Sequence, residues 1–266
     1  MLLIIKCQCM ISPEKMNSNL KNILIVFDAA GCTPVSMQTV IELAVRSQTG
    51  IQALYIEDSN LLNAVELPFT REVSLHTAEI SSIDSASIIQ KLRADAENIK
   101  KQIEEIAVTQ SVSLSFSYTR GQKTRIIKNC TEEVGMVLIP AVYSTTGRKQ
   151  QHHLKHVVAM VYDEHNPSCE KALSIAISQA AKNCYQLFVI VDSQHSKLHV
   201  EQLISQQNGY AVCQVADFSS VDEVLLLLQK HSPGLLVLTE GGRLIDNEQA
   251  LQHLINSLES DILLIR

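Results

Sequence analysis

The sequence predicts an α/β protein of two parallel-sheet domains, the first of which lacks its closing strand. Three observations lead there. The run Asn22 to Asp28, NILIVFD, is apolar and β-branched, stops at a carboxylate and opens into Ala29, Ala30, Gly31 and Cys32. Such a run is a parallel strand buried on both faces that hands over to a crossover helix. The pattern returns at His156 to Asp163, HVVAMVYD, with Asp163 lying 135 positions after Asp28. Around both runs, apolar strands alternate with segments of helical period, which implies parallel sheets with helices on both faces.

In chain order, Thr33 is suited to cap a helix with Pro34 in its first position, where the missing N–H costs nothing. Met37, Val40, Ile41 and Ala44 then fall on one face, and Gly50 ends the helix. A second strand, IQALYIED at 51–58, ends in Glu57 and Asp58. Residues 59–82 have no clean period and are interrupted by Pro68, so they read as a long loop with one short helix. From Asp84, Ile88, Leu92, Ala96, Ile99, Ile103 and Ile106 keep to one helical stripe. VSLSFSYT at 112–119 alternates apolar residues with Ser, as a strand near a sheet edge does; Arg120 and Gly121 then turn into a short helix at 123–132. GMVLIP at 135–140 is the fourth strand. The polar stretch after it is too short for another crossover helix and a fifth strand. That leaves the fourth strand with a bare edge, and the expectation is that Asp261 to Ile265, or a partner chain, covers it.

The second half is more regular. Strands are predicted at 156–163, 186–192, 210–215, 235–239 and 261–265, and helices at 168–182, 197–206, 221–230 and 248–258. The domains read as an extension at 1–19, a first domain at 20–142, a linker at 143–155 and a second domain at 156–266. A length of 266 residues suits two such domains.

A net charge of −6 and a pI near 5.8 provide no basic footprint for nucleic acid, so that class of partner is excluded. The apolar run in MLLIIKCQCM is too short to span a membrane. Seven cysteines without a CxxC pair or zinc-ligand spacing read as reduced thiols of a cytoplasmic protein.

NILIVFDAAG resembles the ILVAxDGS opening of the universal stress protein family, and HVVAMVYDEHN is a looser second copy. The likeness covers residues 20 to 266, and SNLLNAVELPFTREV is similar to an insert of proteobacterial members. The resemblance implies a tandem form with two flavodoxin-like, adenine nucleotide alpha hydrolase-like domains, packed as an internal pseudo-dimer and acting in stress response. Members that bind ATP carry G-x2-G-x9-G-S/T after the fourth strand, with backbone amides on the phosphates. Here Gly147 stands alone after one fourth strand, and Gly241 and Gly242 stand together after the other with no third glycine. Losing the spaced glycines removes the close backbone approach to a polyphosphate. A regulatory or interaction protein without a cofactor and without tight ATP binding is therefore expected, its partner a protein or a second copy meeting an edge strand. The alternative is an adenine-nucleotide sensor that holds ATP or AMP.

Asp28 and Asp163 end central strands on the side where open sheets take ligands. Each either contacts an adenine or ribose, with Gly31 in the turn beside Asp28, or caps a turn. Gly241 and Gly242, with Arg243, either hold a phosphate at a helix start or form a plain turn. Glu57 and Asp58 point to opposite faces of their strand, and a salt bridge from Arg71 to one of them is favoured over acid–base work. His152, His153 and His156 read as a solvated tether, not a metal site. Cys32 reads as an inert half-buried thiol, not an activated one. No catalytic constellation is present, and the chain is not read as an enzyme.

Overall fold

The structure, a computed structural model, describes residues 22–67, 70–73, 80–82, 85–129, 134–141, 157–182, 185–206, 213–217 and 220–266. The expected extension and linker, Gly147 and the three tether histidines lie outside the described residues. The first half runs β1 (Asn22–Phe27), α1 (Pro34–Ser47), β2 (Ile51–Asp58), α2 (Ser59–Val65), β3 (Arg71–Val73), β4 (Ile80–Ser82), α3 (Ser85–Thr109), β5 (Leu114–Gly121), α4 (Lys123–Lys128) and β6 (Val134–Ile139). The second runs β7 (Val157–Tyr162), α5 (Cys169–Lys182), β8 (Gln186–Val191), α6 (Gln194–Gln206), β9 (Cys213–Asp217), α7 (Val221–His231), β10 (Leu235–Thr239), α8 (Arg243–Asp246), α9 (Glu248–Ser257) and β11 (Asp261–Ile265).

Nine strands form one sheet in the order β5-β2-β1-β6-β11-β10-β7-β8-β9. Within this sheet every pairing inside a half is parallel, and β5-β2-β1-β6 repeats the order β9-β8-β7-β10. The fifth strand, β11, lies parallel to β10 and antiparallel to β6, with Ile262 opposite Ile139 and Ile265 opposite Met136. The edge of β6 is thus covered from within the chain, by the expected terminal strand. Because this joint is antiparallel, the carboxyl ends of the two halves' strands open at opposite edges of the sheet.

The continuous apolar runs are explained by burial on both faces. Along β1, Ile23, Ile25 and Phe27 join the core that α1, α3, α5 and α6 cover, while Leu24 and Val26 join the one under α7 and α9. Fully burying each such side chain is worth about 1.5–3 kcal/mol. On the first face, Lys182 Nζ of α5 lies 2.6 Å from Glu42 Oε2 of α1, and Arg46 donates to Ser178 Oγ. No helix among the described residues is long and apolar enough to cross a membrane.

Several boundaries differ from expectation. Residues 59–82 hold, besides α2, the antiparallel pair β3 and β4; three-residue strands are too short for alternation to show. β5 starts two residues late and includes Arg120 and Gly121, because its ladder with β2 continues to Asp58 opposite Gly121 and pairing overrides their turn preference. It forms one outer edge of the sheet, as its Ser alternation implied. The thirteen-residue α6 begins at Gln194, where Ser193 Oγ accepts the Ser196 N–H, and the four-residue α8 precedes α9. α1 ends at Ser47, with Gln48 left-handed at φ 52°. Gly50 serves a different purpose: a Cβ there would lie 2.5 Å from Ser113 Oγ.

Candidate functional site

The two strand-end acids lie in different surroundings. In the first half Thr33 caps α1 as expected, its Oγ1 accepting the Ser36 N–H at 3.0 Å. Asp28 Oδ1 accepts the Ala30 N–H at 2.9 Å, and the Gly31 N–H closes the turn onto the Asp28 carbonyl at 2.9 Å. Gly31 has φ +86° with open space beside it, so backbone conformation, not crowding, selects glycine here. The other carboxylate oxygen, Oδ2, accepts from Lys123 Nζ at 3.1 Å, and the lysine side chain is only 8% exposed. Lys123 begins α4 and fills the space over the end of β1 with its own ammonium.

Beside this pair a second buried acid arrives from the other half. Asp261, the first residue of β11, accepts from Ser36 Oγ at 2.7 Å and from the Ala141 N–H at 2.9 Å. Burial pushes its carboxyl above the usual range against those two donors. Burial, helped by Asp261, also pushes the Cys32 thiol up to about 12, with Lys123 opposing. That agrees with the inert reading of Cys32. Native protein treated with iodoacetamide at pH 8 should leave Cys32 and the buried Cys169 unmodified in a peptide map, and urea should expose both. Rapid native labelling of Cys32 would contradict the burial.

The Glu57 cluster is built differently from expectation. Burial disfavours the Glu57 charge, but Arg120 at 3.0 Å and Arg93 at 3.2 Å outweigh it and hold the carboxyl below its usual range. Those partners come from β5 and α3, which sequence proximity to Arg71 gave no means of seeing. Asp58 caps α2, accepting the Asn60 N–H at 2.8 Å.

In the second half a small cleft lies at the carboxyl ends of β7, β8 and β10. Tyr162, Asp163, Asp192, Thr239, Gly242 and Arg243 border it over an apolar floor. Asp163 Oδ1 accepts the His165 N–H at 3.1 Å. Beneath it, Cys169 Sγ accepts the Asp163 N–H at 3.2 Å and lies 3.4 Å from Thr239 Oγ1. Asp192 accepts from Ser196 Oγ at 3.1 Å and from Arg243 at 3.3 Å. Gly241 and Gly242 lie in a turn closed by the Gly242 N–H on the Thr239 carbonyl at 3.2 Å. Gly241 has φ +74°, the positive value a type II turn needs at this place. A Cβ on Gly242 would come within 3.1 Å of the Thr239 carbonyl. Asn166 ties this turn to the one after β7, donating to the Glu240 carbonyl at 2.5 Å.

No family model matches the sequence, and no curated protein does. Among solved structures, a universal stress protein from Archaeoglobus fulgidus DSM 4304 superposes with a TM-score of 0.54 at 11% identity, over 94% of this chain and 98% of that one. The chain has the fold of a universal stress protein. A functionally unknown protein from Pseudomonas aeruginosa PAO1 aligns at 12% identity over 93% of each chain, with a TM-score of 0.42. Universal stress protein UspA from Lactobacillus plantarum aligns at 16% identity with 50% of this chain and 85% of its own, at 0.36.

On this universal stress protein fold, Asp163 and Gly242 border one cleft and Gly241 adjoins it, while Asp28 and Gly31 share a turn at the opposite sheet edge. Asp192 was legible as another acid ending a strand. Lys123 carried no signal of its own, because the residues it meets lie 95 positions away. Asp261 met Ser36 only once β11 had crossed to the first half.

Proposed function

We propose that this chain is a universal-stress-type regulatory or interaction protein of the cytoplasm, not an enzyme, and that it does not bind ATP tightly. The observation that carries this reading is the Asp28–Lys123 pair, in which the first strand-end acid is already satisfied by a buried ammonium at 3.1 Å. The turn at Gly241 and Gly242 supports it, since the Gly242 N–H that a phosphate would need is donated to Thr239. Two units, 20–142 and 156–266 joined by 143–155, share β11 as an internal version of edge-strand association. A protein partner or a second copy then meets the outer strand, β5, beyond which the sheet order places no strand among the described residues.

A second reading is favoured by the cleft at Asp163, Asp192 and Gly242: an adenine-nucleotide sensor that takes ATP or AMP in the second half only. Thermal unfolding of the purified chain with ATP, AMP and cyclic AMP, each with Mg²⁺, separates the two. A ligand at about 100 times its Kd adds roughly 2.7 kcal/mol. No rise in Tm at millimolar nucleotide is the expected result. A clear rise, abolished by Asp163→Asn, would replace the first reading with the second.

A further inference from the structure

We propose that Asp163, His165 and Asp192 bind a first-row divalent cation, Mn²⁺ or Zn²⁺, at the mouth of the second-half cleft. This goes beyond the reading above and does not depend on nucleotide binding. The placement comes from topology. β7 and β8 are adjacent parallel strands, about 4.8 Å apart, so the acids that follow them stand side by side across 29 positions of sequence (192 − 163). His165 follows in the turn that Asp163 organises. One donor atom from each of the three lies within 4.8 Å of the other two. Ligands held about 2.0–2.2 Å from one ion are separated by up to roughly 4 Å, so a small side-chain adjustment gathers them.

Comparison of the two halves supplies an independent argument. Asp28 and Asp163 occupy equivalent strand ends. In the first half α4 begins with Lys123, whose ammonium faces Asp28 at 3.1 Å. In the second half the equivalent helix, α7, begins with Val221, which lines the cleft and carries no charge. The fold thus sets a cation against its strand-end acid in one half and leaves an apolar residue in its place in the other. A third carboxylate, Glu164, adds to the negative charge there. It shares the Ser196 hydroxyl with Asp192, at 2.9 and 3.1 Å, and lies 3.2 Å from His195. Arg243 is the cation paired with Asp192, through one 3.3 Å contact from a side chain 62% exposed, and it can swing clear into water.

One imidazole and two carboxylates form a mixed nitrogen and oxygen set. Imidazole suits zinc and carboxylates suit manganese, whereas magnesium prefers oxygen ligands alone. Cys169 is no ligand: its sulfur is engaged with the Asp163 N–H and Thr239, and it serves to position the acid. The ion's remaining positions face the open cleft and keep water or a chelating group of a ligand.

The test is titration of the EDTA-stripped full chain with MnCl₂, read by electron paramagnetic resonance and calorimetry, with ZnSO₄ in parallel. One Mn²⁺ per chain is expected. His165→Ala and Asp192→Asn should each weaken it at least about 10-fold, since losing even an outer partner of a metal ligand costs about 10–100-fold. His165 is 90% exposed at its side chain, so its removal leaves the fold intact and circular dichroism serves as the check. Absence of Mn²⁺ and Zn²⁺ binding below about 1 mM, or binding that neither variant weakens, overturns the proposal.

Discussion

Replacing Leu263 with Asp is expected to unfold the whole chain, not its C-terminal half alone. Leu263 is fully buried in the middle of β11, opposite Val237 on β10 and Leu138 on β6. A carboxylate there has neither water nor a cation, and the loss should exceed about 4 kcal/mol, the range reserved for uncompensated charge in a core. Leu263→Ala is the gentler form, costing about 2–5 kcal/mol through lost contacts and a cavity. Because both halves hydrogen-bond to β11, the Ala variant should lose stability in both at once. Native-state amide exchange reads this directly, with β1 in one half and β8 in the other accelerating together. Faster exchange confined to β7–β10 would show that the first half holds without its borrowed strand.

Asp28→Ala should cost about 3–5 kcal/mol, the usual result of removing one partner from a buried ion pair. The cost arises at Lys123, whose ammonium is left in a nearly closed site, and from the lost cap on Ala30. Asp28→Asn combined with Lys123→Met should recover most of the loss, since it keeps the capping oxygen and removes the charge. Urea midpoints of Asp28→Asn, Lys123→Met and the double variant complete the cycle, and simple additivity would mean that the pair is not coupled. The same reasoning explains why Asp163, not Asp28, is the residue to change in a ligand experiment: loss of Asp28 alters stability whether or not anything binds.

The sequence carried the strands and long helices well because their signals are local. NILIVFD and HVVAMVYD are buried on both faces, and a run of that kind has few other readings. The missing fifth strand of the first half was visible as a length too short to hold it, and β11 was the natural candidate to cover β6. The site was less legible. Lys123 and Asp261 are unremarkable in their own segments and gain meaning only from what the fold sets against them. β3 and β4 failed for a different reason, since three residues cannot display a period of two.

The joint between the halves also bears on how the chain is made. β6 meets its covering strand only after about 120 further residues, the separation of Ala141 from Asp261. At a synthesis rate of about 5–20 residues per second, that is roughly 6 to 24 seconds. Through that interval a nascent first half carries an open strand edge of apolar residues, the template other chains pair with. Neighbouring ribosomes on one message hold identical edges at high local concentration. Antiparallel pairing of two β6 strands would imitate the native joint, so until the last strand emerges this edge is the place where two nascent chains would pair.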